Sequence, residues 1–113
     1  MTDCIFCKIG RKEIPARIVY EDPELFAFED IHPQAPMHLL VCPRRHVSSL
    51  SDASAADAEL VGRIVLAGAK LASDRGYGAG HRTIFNTGEE AGQTVFHLHL
   101  HVLGGRPMHW PAG

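Results

Sequence analysis

The stretch His97-Leu98-His99-Leu100-His101-Val102-Leu103 constrains this chain more than any other, because histidine alternates strictly with aliphatic residues along it. A period of two marks a strand buried on one face, so the pattern predicts a strand over 97–103 with Leu98, Leu100 and Val102 in a core. The three imidazoles then share the opposite face. Residues two apart on a strand stand about 6.6 Å apart along its axis, which lines up groups that titrate near neutral pH. With His38 and His46, five of the eight histidines fall into two groups. Threonine or lysine would serve an ordinary exposed face as well, so the row points to chemistry.

Two chemistries fit the row. His97 and His99 have the His-x-His spacing that supplies two ligands to a catalytic metal, which would also need a third ligand and an open position for water. Alternatively, one imidazole is a nucleophile, which needs a neighbour to orient it and donors for the charge that develops on the attacked group. Spacing alone leaves both open.

The rest of the chain bounds the answer. Its 113 residues, 45% hydrophobic and 21% charged, suit one domain over 1–113 with a genuine core. A formal charge of −2 leaves no basic footprint for nucleic acid, although one small anionic substrate is compatible. No apolar run reaches the length of a membrane span, and Met1-Thr2-Asp3-Cys4 lacks the charged start and apolar core of a signal peptide. A cytoplasmic protein without membrane contact is expected. Three cysteines in such a chain argue for thiols or metal ligands rather than disulfides.

Cys4-Ile5-Phe6-Cys7 has a spacing that lets two thiolates reach one metal from a tight turn. A redox pair of this spacing would follow a strand, and nothing upstream supplies one. A helical turn and a bend are expected over 11–16. Ile18-Val19-Tyr20 and Leu25-Phe26-Ala27-Phe28 read as an antiparallel pair about a turn holding Pro23, with a third strand from His38 to Pro43 and a fourth over 82–86. Between the second and third, a loop with Pro33 and Pro36 presents Asp30 and His32 at the sheet edge.

One long helix is predicted over 54–75. Ser54 and Asp57 resemble a capping box with Asp in place of Glu, Leu60, Ile64, Ala67 and Leu71 recur at helical spacing, and Gly76, Gly78 and Gly80 end it. A second stripe of Val61, Val65, Gly68 and Ala72 is either a broad core face or a subunit interface. The glycine-bearing loop that includes Gly92, Gln93 and Thr94 can aim backbone N–H groups at an anion, phosphate above all, with Asn86 adding a side-chain donor. The tail carries the only tryptophan, Trp110, in an irregular segment that should dock on another surface.

These residues resemble the histidine triad family. The His-x-His-x-His-x-x signature at 97–103 carries the likeness, and Asp30-Ile31, Pro33-Gln34-Ala35-Pro36, His38, Gly92-Gln93, Gly104-Gly105-Arg106 and Met108-His109-Trp110-Pro111 extend it to the Hint branch, the histidine triad nucleotide-binding proteins. The resemblance implies an α+β fold, a five-stranded antiparallel sheet with one long helix, and a homodimer whose sheets join. It implies hydrolysis of the P–N bond of purine nucleoside 5′-phosphoramidates through a nucleotidyl-histidine. His99 would be the nucleophile, His38 would orient it, and His101 with Asn86 and the backbone of Gly92, Gln93 and Thr94 would contact the phosphate. Asp30 would hold the ribose, and Ile5, Phe6, Ile9, Phe28 and Ile31 would wall the base pocket. Cys4, Cys7, His46 and His97 stand where bacterial relatives bind structural zinc, so the row would serve metal and substrate together. Trp110 would reach the partner's leaving-group pocket. Other readings are a dinucleoside polyphosphate hydrolase and a nucleotide-binding interaction protein with incidental activity.

Overall fold

The structure, a computed structural model, describes residues 4–113, so the leaderless start read at Met1, Thr2 and Asp3 lies outside the described residues. The chain runs α1 (Ile5–Gly10), β1 (Ile18–Glu21), β2 (Leu25–Glu29), β3 (Met37–Pro43), α2 (Ala58–Asp74), β4 (His81–Ile84) and β5 (Leu100–Gly104). The five strands form one antiparallel sheet in the order β1-β2-β3-β5-β4. This is the expected α+β arrangement. No helix among the described residues is long and apolar enough to cross a membrane.

Both faces of the sheet are covered, which explains why the central strand β3 is buried along its whole length and reads as an almost unbroken apolar run. Leu39 and Val41 point to α2, packing with Leu25, Ala27, Ile64, Leu71, Leu100 and Val102. Leu40 and Cys42 point the other way, into a smaller cluster with Phe6, Ile9, Phe26 and Phe28. Helix α2 lies close on β5 because Gly68 faces it: a Cβ there would stand 2.8 Å from Leu100 Cδ2.

The α2 cap forms as expected, with the Ser54–Asp57 capping box over a 3-10 turn at Ala55–Asp57 that precedes the α-helix proper. Of the second stripe, Gly68 and Ala72 belong to the core, whereas Val65 is exposed beside the still more exposed Leu66. The early helix differs from expectation. It occupies Ile5–Gly10 rather than 11–16, because Cys4 Sγ caps it by accepting the Cys7 N–H at 3.4 Å and because Phe6 and Ile9 bury one of its faces. The fourth strand ends at Ile84, two residues short of Asn86.

The histidine stretch is strand only from Leu100 onward. Extending the β3–β5 register would set Leu98 opposite Pro43, which has no N–H to give. The Pro43 carbonyl is taken instead by the His97 ring, Nε2 lying 2.7 Å away, while Leu98 N–H goes to the Val47 carbonyl. The alternation of faces survives without the ladder: Leu98, Leu100 and Val102 join the α2 core, and His97 and His99 contact Phe6 on the other side.

Candidate active site

On the face away from α2, a cavity of about 370 Å³ opens between α1, the sheet and the loop before β5. Ile5, Phe6, Ile9, Phe28, Asp30, Ile31, Asn86, Gly92, Thr94, His99 and His101 line it. Ile14, Pro15, Ala16, Leu40 and Val95 complete the wall. These five are absent from the expected wall, although Leu40 shares the strand face of His38 and Ile14-Pro15-Ala16 is an apolar run after Arg11-Lys12-Glu13. Ile31 is 83% exposed and forms the rim rather than the floor.

His99 sits in this cavity, nearly buried, with the Phe6 ring edge-on 4.9 Å away between centroids. Its Nδ1 lies 2.7 Å from the His97 carbonyl. A carbonyl only accepts, so Nδ1 carries the proton and Nε2 keeps its lone pair. Burial lowers the His99 pKa, which favours this neutral form.

The partner of His38 is His101, not His99 as expected. His38 Nε2 lies 2.9 Å from His101 Nδ1 and 3.4 Å from Asp30 Oδ2, while His38 Nδ1 accepts the Gln34 N–H at 3.0 Å. The His97 backbone takes over the orienting of His99, which no reading of side-chain types reveals. Because His38 Nδ1 is an acceptor, Nε2 bears the proton and donates to His101 Nδ1, so that the single N–H of the neutral His101 ring is on Nε2. Burial, then the neighbouring His99 and His38, push the His101 pKa down to about 4. His38 is lowered as well, by burial, with Asp30 working against it.

Gln93 does not reach the cavity. It is buried, its Oε1 accepts the Gly88 N–H, its Nε2 donates to the Ser48 and Val95 carbonyls, and its own N–H goes to the Gly88 carbonyl. Gly92 N–H is likewise spent on the Glu89 carbonyl. Gln93 therefore braces the loop, and of the residues expected to cradle an anion Asn86, Gly92 and Thr94 line the cavity, the Gly92 N–H being already engaged.

Beyond His99, a second group gathers. Cys4 Sγ is 3.3 Å and Cys7 Sγ 3.5 Å from His97 Nδ1, Cys7 Sγ is 3.5 Å from His46 Nδ1, and the two Nδ1 atoms are 3.2 Å apart. A tetrahedral zinc with ordinary bond lengths would set N···N near ~3.3 Å and N···S near ~3.5 Å. His97 Nε2 donates to the Pro43 carbonyl, so its Nδ1 presents a lone pair to the cluster. Burial and the adjacent Cys4 push the Cys7 thiol pKa up. The donor set fits a tetrahedral metal ion.

Trp110 is 85% exposed, so the indole does not cap its own chain; the tail is tied down by Arg82 Nη2, which donates to the His109 carbonyl at 2.9 Å.

An antiparallel sheet thus brings a lone-pair imidazole, a second imidazole and a carboxylate to one apolar cavity of a small α+β protein. The chain belongs to the HIT domain family, whose model matches residues 11–108. It is 52% identical over 111 residues to a HIT-like protein of Synechocystis, covering 98% of this chain and 97% of that one, and 48% identical over 104 residues to Protein HitA of Neisseria gonorrhoeae, covering 92% and 97%. Among solved structures, a HIT family hydrolase from Legionella pneumophila superposes with a TM-score of 0.96 at 47% identity, covering 98% of this chain and all of that one. A histidine triad protein from Clostridium difficile gives 0.92 at 43%, covering 96% of each.

Proposed function

We propose that this protein, acting as one domain over residues 1–113, is a hydrolase that cleaves the P–N bond of purine nucleoside 5′-phosphoramidates through a nucleotidyl-His99 intermediate. The observation that carries this reading is the 2.7 Å contact from His99 Nδ1 to the His97 carbonyl, which leaves Nε2 as the one lone-pair nitrogen of a buried ring in an apolar cavity. Nε2 attacks the α-phosphorus, and the P–N electron pair departs with the amine, which takes a proton from water. Water then attacks the nucleotidyl-histidine, releases a proton, and gives back the imidazole and a nucleoside monophosphate. His101 Nε2–H, the Asn86 amide and the Thr94 N–H serve the phosphoryl oxygens, where charge develops. Asp30 accepts from the ribose, and the apolar wall takes the base with weak discrimination between adenine and guanine. The Legionella relative is named a hydrolase, which supports turnover over binding alone.

We assign structural zinc to Cys4, Cys7, His46 and His97; four protein ligands leave no open position, so the ion would tie α1 to the start of the histidine stretch and supply no chemistry to substrate. We also infer a homodimer. The open edge of β4 and the uncovered Val65 and Leu66 support it, and Trp110 would then border the partner's cavity.

The test is turnover of adenosine 5′-phosphoramidate against a diadenosine polyphosphate, with an alkaline quench and mass mapping of the modified peptide. Phosphoramidate turnover with the nucleotidyl mass on His99 is expected. Preference for the polyphosphate would move the reading to P–O cleavage, and AMP binding with neither turnover would make this a binding module.

A further inference from the structure

Gly104-Gly105-Arg106 ends β5 and leads out of it, and has no part in the chemistry above. Gly105 lies at φ +100°, and a Cβ there would stand 2.8 Å from Pro36 Cβ, so only glycine lets the chain press on the loop before β3. That approach carries Arg106 onto the loop. Its Nε donates to the Gln34 carbonyl at 2.8 Å, and its Nη1 to the Pro107 carbonyl at 3.1 Å. Gln34 in turn gives its N–H to His38 Nδ1 at 3.0 Å, and His38 meets His101 at 2.9 Å.

We propose that Arg106 is a positioning residue which, by clamping Gln34, holds the Gln34 N–H on His38 Nδ1 and so fixes which nitrogen of His38 and of His101 carries the proton. Its kinetic consequence rests on the phosphoramidase reading; its effect on the two rings does not. With Nδ1 occupied by a donor, His38 must carry its proton on Nε2, and His101 must then keep its proton on Nε2. Were the Gln34 N–H to swing away, His38 would be released to the opposite tautomer. His101 would then donate from Nδ1, and its Nε2 would turn a lone pair toward a phosphoryl oxygen. One lost contact outside the cavity thus converts a donor to phosphate into a repulsive acceptor. Asp30 Oδ2 favours the same order from 3.4 Å, but its other oxygen is committed to the His32 N–H. Arg106 also opposes protonation of His38 by its charge, adding to the effect of burial.

Arg106 is exposed, so its variants should fold. The experiment records the imidazole nitrogen spectra of His38 and His101 in wild type, Arg106→Met and Arg106→Lys, with kcat and KM on adenosine 5′-phosphoramidate. In wild type each ring should show one tautomer, protonated at Nε2. Arg106→Met should give mixed tautomers, a kcat lower by about tenfold or more and a KM within about threefold. Arg106→Lys, which keeps a cationic donor, should restore both. Unchanged rings and kcat in Arg106→Met would overturn the proposal, as would a kcat loss with both rings unchanged, which would mean that Arg106 meets the substrate itself. A wild type without turnover would sink the phosphoramidase reading alone, and the ring spectra would still decide the role of Arg106.

Discussion

Cys4, Cys7, His46 and His97 on one side of His99, and Asp30, His38 and His101 on the other, are both clusters of metal-ligating side chains whose donor atoms lie within 4.8 Å of one another. They differ in what the far nitrogen of the key histidine meets. His97 turns Nε2 to a carbonyl, an acceptor, so its Nδ1 lone pair faces the two sulfurs and His46. His38 turns Nδ1 to a backbone N–H, a donor, so its other nitrogen presents a proton to His101 and Asp30. Lone pairs converge in the first cluster and suit a cation; lone pair meets N–H in the second, which is a hydrogen-bond chain. Residue type brings a metal site within reach, and the partner behind the ring decides whether one forms.

His99 stands between the two clusters, and removing it tests whether they serve one reaction. His99→Ala should cost at least about a thousandfold in phosphoramidate turnover while AMP affinity stays within about tenfold, because a nucleophile contributes to the barrier more than to ground-state binding. Activity within tenfold of wild type in purified protein would place the nucleophile elsewhere and reopen the catalytic-metal reading.

The next largest effect breaks the first cluster. Protein prepared without chelator should carry about one zinc per subunit, and Cys7→Ser should lose it and lower Tm by roughly 10 °C while turnover per folded molecule falls less than about threefold. Elemental analysis finding no metal in the wild type would remove the distinction between the clusters.

Acid sharpens the contrast from the other side. His101 is held down at about 4 from an ordinary 6.5, so the unfolded chain takes up its proton first as pH falls. The stability that His101 contributes is complete above pH 6.5 and is lost between there and about pH 4. Replacing it with Gln should flatten the fall of Tm over that window by a few degrees, read by thermal scans. Parallel curves for the two proteins would mean that the ring is not held neutral by the fold.

The sequence carries the face pattern of this region well and its hydrogen bonding poorly. Period two places Leu98, Leu100 and Val102 against α2 whether or not a ladder forms, because burial alone enforces it. That the strand begins only at Leu100 depends on Pro43 and on a His97 ring contact between residues far apart in the chain. Likewise, Cys4, Cys7, His46 and His97 were legible as a set from residue type and likeness. The partner of His38 and the bracing role of Gln93 were not, since both follow from which way a loop peptide points. The early helix was misplaced because a cysteine thiol caps it where Ser, Thr or Asp would be looked for.

The smallest expected effect asks whether the cavity is completed by a second copy of the chain. Trp110 is 85% exposed, and Arg82 holds only the backbone of the preceding residue, so the tail is anchored while its indole remains uncovered. A large aromatic ring presented in this way suits a neighbouring surface, and β4 offers an open edge across which a two-fold partner would pair. On that arrangement the indole of one subunit would border the leaving-group side of the other's cavity, away from His99 and from the four residues proposed to hold zinc. Deleting residues 108–113 should therefore shift the ranking of kcat/KM across a series of amine leaving groups by up to about tenfold, with nucleotidyl-His99 still formed and zinc still bound. A deletion that lowers Tm but leaves the ranking unchanged would confine the tail to a structural role within its own subunit.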